Sequence, residues 1–196
     1  MEYASIWTFL DEPEKVWEML TDLYRTMEGK EPNPAHIALA ELEKRNYIAG
    51  IITQNVDSLH QKAGSQRVYE VHGSGRELQC LKCDTVRPFP GQSINDIKIP
   101  PCCPNCGVIE KPNAVLFGEG VRSDAMNAAN RMLDTCNMWL IIGTSAEVSP
   151  VNQIPRRAQA DCAVICEFNL EEALPKATIR VTGDVAQTLP KLVEMI

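Results

Sequence analysis

The sequence lacks a basic tract: no run of bases is longer than a pair such as Arg156-Arg157, and 26 acidic residues against 19 basic ones leave a net charge of −7. That balance excludes a broad phosphate-binding face and, with it, nucleic acid as a direct partner. A long apolar run is missing too. The longest, around "MWLII" (Met138 to Ile142), falls far short of the roughly 20 residues that a membrane helix needs. The opening "MEYASIWTFLDEPEK" has neither the basic start nor the continuous apolar stretch of a secretory signal, so a cytoplasmic location is expected. There is no internal repeat and no low-complexity tract. What the chain does have is 196 residues at 44% hydrophobic content, enough for one packed domain carrying a small insert, and eight cysteines.

In a cytosolic chain of this length cysteines more often mean metal binding or buried thiols than disulfides, and spacing decides between them. "CLKC" (Cys80, Cys83) and "CPNCG" (Cys103, Cys106) are two Cys-x-x-Cys knuckles separated by 19 residues. Each can aim two thiolates at one ion, and together they complete the tetrahedral shell that structural Zn2+ prefers. Cys102 could replace Cys103 only by stretching the second knuckle to a four-residue step, so Cys103 is the assigned ligand. Four thiolates leave no open position, and the ion is expected to hold its module together rather than activate water. Cys136, Cys162 and Cys166 sit among apolar residues and read as core thiols.

Around this module the pattern is α/β. Glu14 to Met27 places Val16, Met19, Leu20, Leu23 and Met27 at steps of three and four, the period of a half-buried helix, with Pro13 at its start and Gly29 at its end. Ala35 to Arg45 repeats the pattern, with Ile37, Ala38 and Leu42 inward and Glu41, Glu43, Lys44 and Arg45 mostly outward. "IAGIITQN", "MWLIIGTS" and "CAVICEFN" are short apolar runs that end in small polar or amide residues. In an open parallel sheet, ligands bind outside the carboxyl ends of strands, although each such ending alone reads equally well as turn chemistry. After the first run come Gln54, Asn55 and Asp57, and further on "VHGSG" puts His72 before a glycine. Amides and a carboxylate can grip ribose hydroxyls and a carboxamide, and a histidine can accept a hydroxyl proton. His36 and His60 read as structural, one opening a helix and the other ordering a loop.

Together "ITQNVDSLHQKAG", "YEVHGS", the two knuckles, "AVLFGEGV", "IIGTSAEVSP", "CEFNLE" and "TGDVAQTLPKLV" resemble, in order and spacing, the sirtuins, NAD-dependent protein lysine deacylases. The resemblance runs from about Ile6 to the end of the chain. It implies a Rossmann-like parallel sheet over 1–79 and 112–196, with a zinc-ribbon small domain inserted at 80–111. It also implies NAD as cofactor and an acylated-lysine protein or peptide as substrate. By that likeness Gln54, Asn55 and Asp57 meet nicotinamide and its ribose, and His72 is the general base. The acyl-lysine oxygen attacks the anomeric carbon as nicotinamide leaves, and the acyl group ends on ADP-ribose. Gly143, Thr144 and Ser145 meet the dinucleotide; Asn169, Leu170 and Glu171 lie on the adenosine side; Val185 is a last cofactor contact. Val115, Leu116, Phe117, Gly118 and Glu119 pair with the substrate backbone, a form of β-augmentation. Alternatives are a zinc-stabilised binding homologue without turnover, or an enzyme that cleaves NAD or transfers ADP-ribose.

Two departures stand out. The family opens with a strand and a Gly-Ala-Gly-x-Ser loop whose amides hold the pyrophosphate; here "ASIWTFL" resembles sequence just beyond them, and the first strand of the sheet is expected to be missing. An incomplete gene start, a natural truncation and completion by another chain compete as explanations. The first is preferred, since decay would have eroded His72 and Asn55 as readily as the loop. Neither Gly73/Gly75 nor Gly118/Gly120 lies in a strand-to-helix turn that replaces the loop. Second, the Tyr and Arg with which one branch of the family binds acidic acyl groups correspond here to Leu20 and Leu23, an apolar pair that disfavours succinyl and malonyl lysine.

Overall fold

A computed structural model describes residues 4–91 and 93–196. In chain order the elements are α1 (Ile6–Asp11), α2 (Pro13–Met27), α3 (Pro34–Lys44), β1 (Ile51–Thr53), α4 (Leu59–Lys62), β2 (Val68–Glu70), β3 (Gly73–Gln79), β4 (Val86–Pro88), β5 (Lys111–Ala114), α5 (Ser123–Thr135), β6 (Met138–Ile142), α6 (Gln153–Ala160), β7 (Val164–Asn169), β8 (Ile179–Thr182) and α7 (Val185–Glu194). They divide into two compact units. The first comprises 1–30, 54–58 and 72–122, and the second 31–53, 59–71 and 123–196. The zinc module therefore folds with α1, α2 and β3, outside the 80–111 limits that the cysteines mark.

In the first unit β4, β3 and β5 form an antiparallel sheet in that order, with an irregularity between Ser74 and Leu78. Helix α2 covers it. Its buried stripe is Val16, Trp17, Leu20 and Tyr24, while Leu23 is exposed. The expected face is thus rotated toward the aromatics, because both find polar partners inside. The Trp17 indole N–H donates to the Glu110 carbonyl at 2.8 Å, and the Tyr24 hydroxyl donates to the Gly75 carbonyl at 2.6 Å. Leu20 packs into this core and Leu23 faces away from it, so the two do not form a common wall.

The second unit carries the parallel sheet in two pieces: β1 pairs with β2, and β6, β7 and β8 pair in that order. Helices α3 and α7 face one core, where Leu39, Leu42 and Leu189 meet Ile51, Leu140, Ile142 and Phe168. Helices α5 and α6 face the other, where Leu133 and Ile154 meet Ile52, Trp139, Ile141 and Ile165. The alternation of Ile51 with Ile52, and of Leu140 and Ile142 with Ile141, gives both pieces the same two faces. Among the described residues no strand bonds β1 to β6.

Helix α3 starts at Asn33, whose Oδ1 accepts from the Ala35 and His36 amides while the His36 ring accepts from the Asn33 amide, a reciprocal cap. Two residues on this helix depart from expectation: Ile37 is exposed, and Glu43 is buried. The Glu43 carboxylate accepts from the Gln66 and Arg67 amides at 2.8 and 2.7 Å and from the Arg67 guanidinium, fixing the turn into β2. Burial at this position is set by amides at the entry to β2 that need an acceptor, which helical periodicity does not reveal.

Candidate functional site

The loop 54–58 is laced to β3 in the first unit. The Gly75 amide donates to the Val56 carbonyl at 2.8 Å, and His72 Nδ1 stands 3.2 Å from the Gln54 carbonyl. Only a protonated Nδ1 bonds a carbonyl, so this contact selects the tautomer that leaves a lone pair on Nε2. The next residue has to be glycine: Gly73 has φ +73, and a Cβ there would stand 2.1 Å from the Asn113 carbonyl oxygen. That close approach places β5 beside the histidine, and the Val115 amide donates to the His72 carbonyl at 2.8 Å. Gln54, Asn55, Asp57 and His72 are thereby gathered in one unit, half-buried except for exposed Asn55.

Residues 115–119 continue from β5. The Phe117 amide donates to Ala4 and its carbonyl accepts from Ile6, both at 2.9 Å, so one edge of this segment is already paired with the chain's own residues. The Phe117 ring is exposed and Leu116 is buried. Gly118 has φ +92, and a Cβ there would press on Trp7 and Ile6. Glu119 turns back toward Lys111, whose ammonium is buried and whose pKa is lowered by that burial, with Glu119 opposing the shift.

The two knuckles fold alike. In each, the residue after the second cysteine bonds back to the first: the Asp84 amide to the Cys80 carbonyl at 3.0 Å, the Gly107 amide to Cys103 at 2.9 Å. Asp84 and Gly107 both have positive φ, 55° and 74°. The sulfurs of Cys80, Cys83, Cys103 and Cys106 all lie within 4.8 Å of one another. A tetrahedron with Zn–S bonds of ~2.3 Å has edges of about 3.8 Å, so the four fit one Zn2+. Bonds from the Thr85 hydroxyl and backbone hold the Cys83 thiol down at about 6, while, against a lowering backbone bond at Val108, the Cys80 sulfur and burial push the Cys106 thiol up to about 12. Cys102 is exposed and outside the group. Among the remaining cysteines only Cys166 is a core thiol: Cys136 is half-buried, and Cys162 is exposed in a turn at φ +62.

In the second unit the other predicted residues meet at the carboxyl ends of β6, β7 and β8. Gly143 follows β6, its amide bonded to the Phe168 carbonyl at 3.0 Å, and its φ of +57 opens onto space that a Cβ would not fill. The Asn169 side chain donates to the Thr144 carbonyl at 2.9 Å, and its backbone carbonyl accepts from Gly183. Asp184 caps α7, placing Val185 in its first turn. Leu170 is exposed, as are Glu171 and Ser145. An open, glycine-started backbone with amide and hydroxyl groups fits a dinucleotide at strand ends.

Two groups escaped the sequence reading. Glu167, 2% exposed, accepts from the Ala173 amide at 2.7 Å, the Leu174 amide at 3.3 Å and Arg180 Nε at 3.3 Å, shaping the loop after Asn169. Lys111 does the same work for 112–119. Both are charged residues of strands, where alternation predicts only a face; for Glu167 the signal available was a charge embedded in an apolar run, whereas Lys111, between Glu110 and Pro112, carried none.

This geometry is shared with known proteins. Residues 2–150 match the sequence model of the Sir2 family. The chain is 36% identical to an NAD-dependent protein deacylase of Pyrobaculum aerophilum, covering all of this chain and 78% of that protein. Against an NAD-dependent protein deacylase of Pyrococcus furiosus it is 35% identical over all of this chain and 80% of the relative. A crystal structure of a Sir2 homologue in complex with NAD superposes with a TM-score of 0.91 at 34% identity, over 99% of this chain and 76% of that one. A Sir2 protein bound to a propionylated peptide gives 0.88 at 29%, over 98% and 83%. With a family model matched over most of its length and relatives above 30% identity covering all of it, the chain belongs to the Sir2 family.

Proposed function

We propose that this chain is an NAD-dependent protein lysine deacylase acting on acylated-lysine peptides in the cytosol. The observation that carries the reading is the Nδ1 tether of His72 to the Gln54 carbonyl, which leaves Nε2 as a base. NAD, when bound, would supply an electrophilic ribose carbon with nicotinamide as its leaving group, and its ribose would take up the acyl group while water completes the break of the amide and frees the lysine amine. His72 accepts the ribose hydroxyl proton at Nε2, and the Gln54 carbonyl steadies the imidazolium that forms. Gln54, Asn55 and Asp57 orient the nicotinamide end. Gly143, Thr144, Ser145, Asn169, Leu170, Glu171 and Val185 bind the rest of the dinucleotide. Val115 to Glu119 receive the peptide backbone. Cys80, Cys83, Cys103 and Cys106 hold one Zn2+ that stabilises the 80–111 insert.

The test is nicotinamide release from NAD with an acetyl-lysine peptide, on zinc-loaded protein. Peptide-dependent release that falls ~10²–10⁴-fold in His72→Ala is expected. Silence from zinc-bound parent protein overturns the deacylase reading, and release without peptide points to NAD cleavage instead.

A further inference from the structure

The Lys111 side chain is 2% exposed, yet its ammonium is fully engaged. It donates to the Ala114 carbonyl at 2.7 Å and the Pro112 carbonyl at 3.1 Å, and lies 3.1 Å from Glu119 Oε2. The same carboxylate oxygen accepts the Leu116 amide at 2.7 Å, and the Glu119 amide returns a bond to the Leu116 carbonyl at 3.0 Å. One ammonium and one carboxylate therefore join both ends of the stretch from 112 to 119. Three donors in three directions from a single buried nitrogen fix a turn more tightly than backbone bonds alone, since an opened turn would leave a desolvated charge unpaired. The stretch is tied in turn to the His72 carbonyl through the Val115 amide.

We propose that Lys111 and Glu119 are positioning residues that hold 115–119 in the shape that receives the acyl-lysine peptide and that keep this segment registered on His72. The assignment rests on the deacylase reading above. Neither residue touches the reacting atoms; both act through the backbone they organise.

The experiment uses the full zinc-loaded chain and three variants: Lys111→Met, Glu119→Gln and the double variant. A fluorescein-labelled acetyl-lysine peptide is titrated by anisotropy, NAD by tryptophan quenching, and amide exchange is followed across 112–119 and 70–75. Lys111→Met is expected to weaken peptide binding about tenfold, Glu119→Gln several-fold, and the double variant no more than the worse single one, because the pair acts as a unit. NAD affinity should stay within twofold, and exchange at Leu116 should rise. A purely structural role would move both ligands and the melting temperature together. Should Lys111→Met fail to bind zinc or fold, Glu119→Gln decides, since it keeps an acceptor for the Leu116 amide. Peptide binding within twofold of parent in the folded variants overturns the proposal. If the parent captures no peptide, the deacylase reading fails, and unchanged exchange at 112–119 and 70–75 would then overturn the positioning claim by itself.

Discussion

Gly73 offers a sharp test of how the histidine is held, with Gly143 as its internal control. Both have positive φ, +73 and +57, so alanine at either carries the left-handed penalty of about 1–2 kcal/mol. At Gly143 nothing lies within 4 Å of a new Cβ, and that penalty is the whole expected cost. At Gly73 the Cβ would lie 2.1 Å from the Asn113 carbonyl oxygen, and 3.1 and 3.2 Å from the next backbone atoms. The strands must move apart by roughly an ångström, which adds an overpacking cost of about 1–3 kcal/mol. It also weakens the Val115-to-His72 bond, whose net contribution is about 1 kcal/mol. Gly73→Ala should therefore cost about 3–6 kcal/mol and Gly143→Ala about 1–2, read as shifts in urea midpoint at constant m. Exchange at Val115 should rise in the first variant only. Equal losses in the two variants would refute the claim that the Asn113 contact, rather than backbone strain alone, fixes the glycine.

Three further expectations concern buried charge and metal. Cys103→Ser should abolish the single bound zinc and unfold its module, whereas Cys102→Ser should retain one zinc per chain, both read by metal analysis after dialysis. Glu167→Ala removes a buried acceptor from two amides and Arg180; a loss of about 3 kcal/mol and faster exchange at Ala173 and Leu174 are expected. Burial lowers the Lys111 pKa, so between that value and the ordinary lysine value the unfolded chain binds more protons than the folded one. Stability from this group therefore rises with pH across the window below 10.5, and the parent's urea midpoint should gain on that of Lys111→Met as pH is raised through it.

The zinc ligands were legible because a knuckle is a local object: two thiolates three positions apart and a residue tolerant of positive φ after them suffice, wherever the rest of the chain goes. Strands β1, β6 and β7 were legible for a similar reason, since each is a short apolar run closed by small polar residues. The faces of α2 and α3 were only partly so. Periodicity marked Leu23 and Ile37 as inward and Glu43 as outward, whereas the fold exposes the first two and buries the third. Indole and phenol groups with internal acceptors drew α2 around by one position, and two orphan amides drew Glu43 inward.

By itself the sequence pointed to the family, the fold class and the four-cysteine group, because these are carried by residue type and spacing along the chain. Tertiary structure alone decided the interleaved composition of the two units, the break between β1 and β6, and the tautomer of His72. It also decided that Lys111 and Glu167 turn inward to organise loops. Each depends on what distant segments bring to a point in space: an acceptor for an ammonium, a carbonyl for an imidazole, or a neighbouring strand for an edge. No local pattern encodes such a meeting.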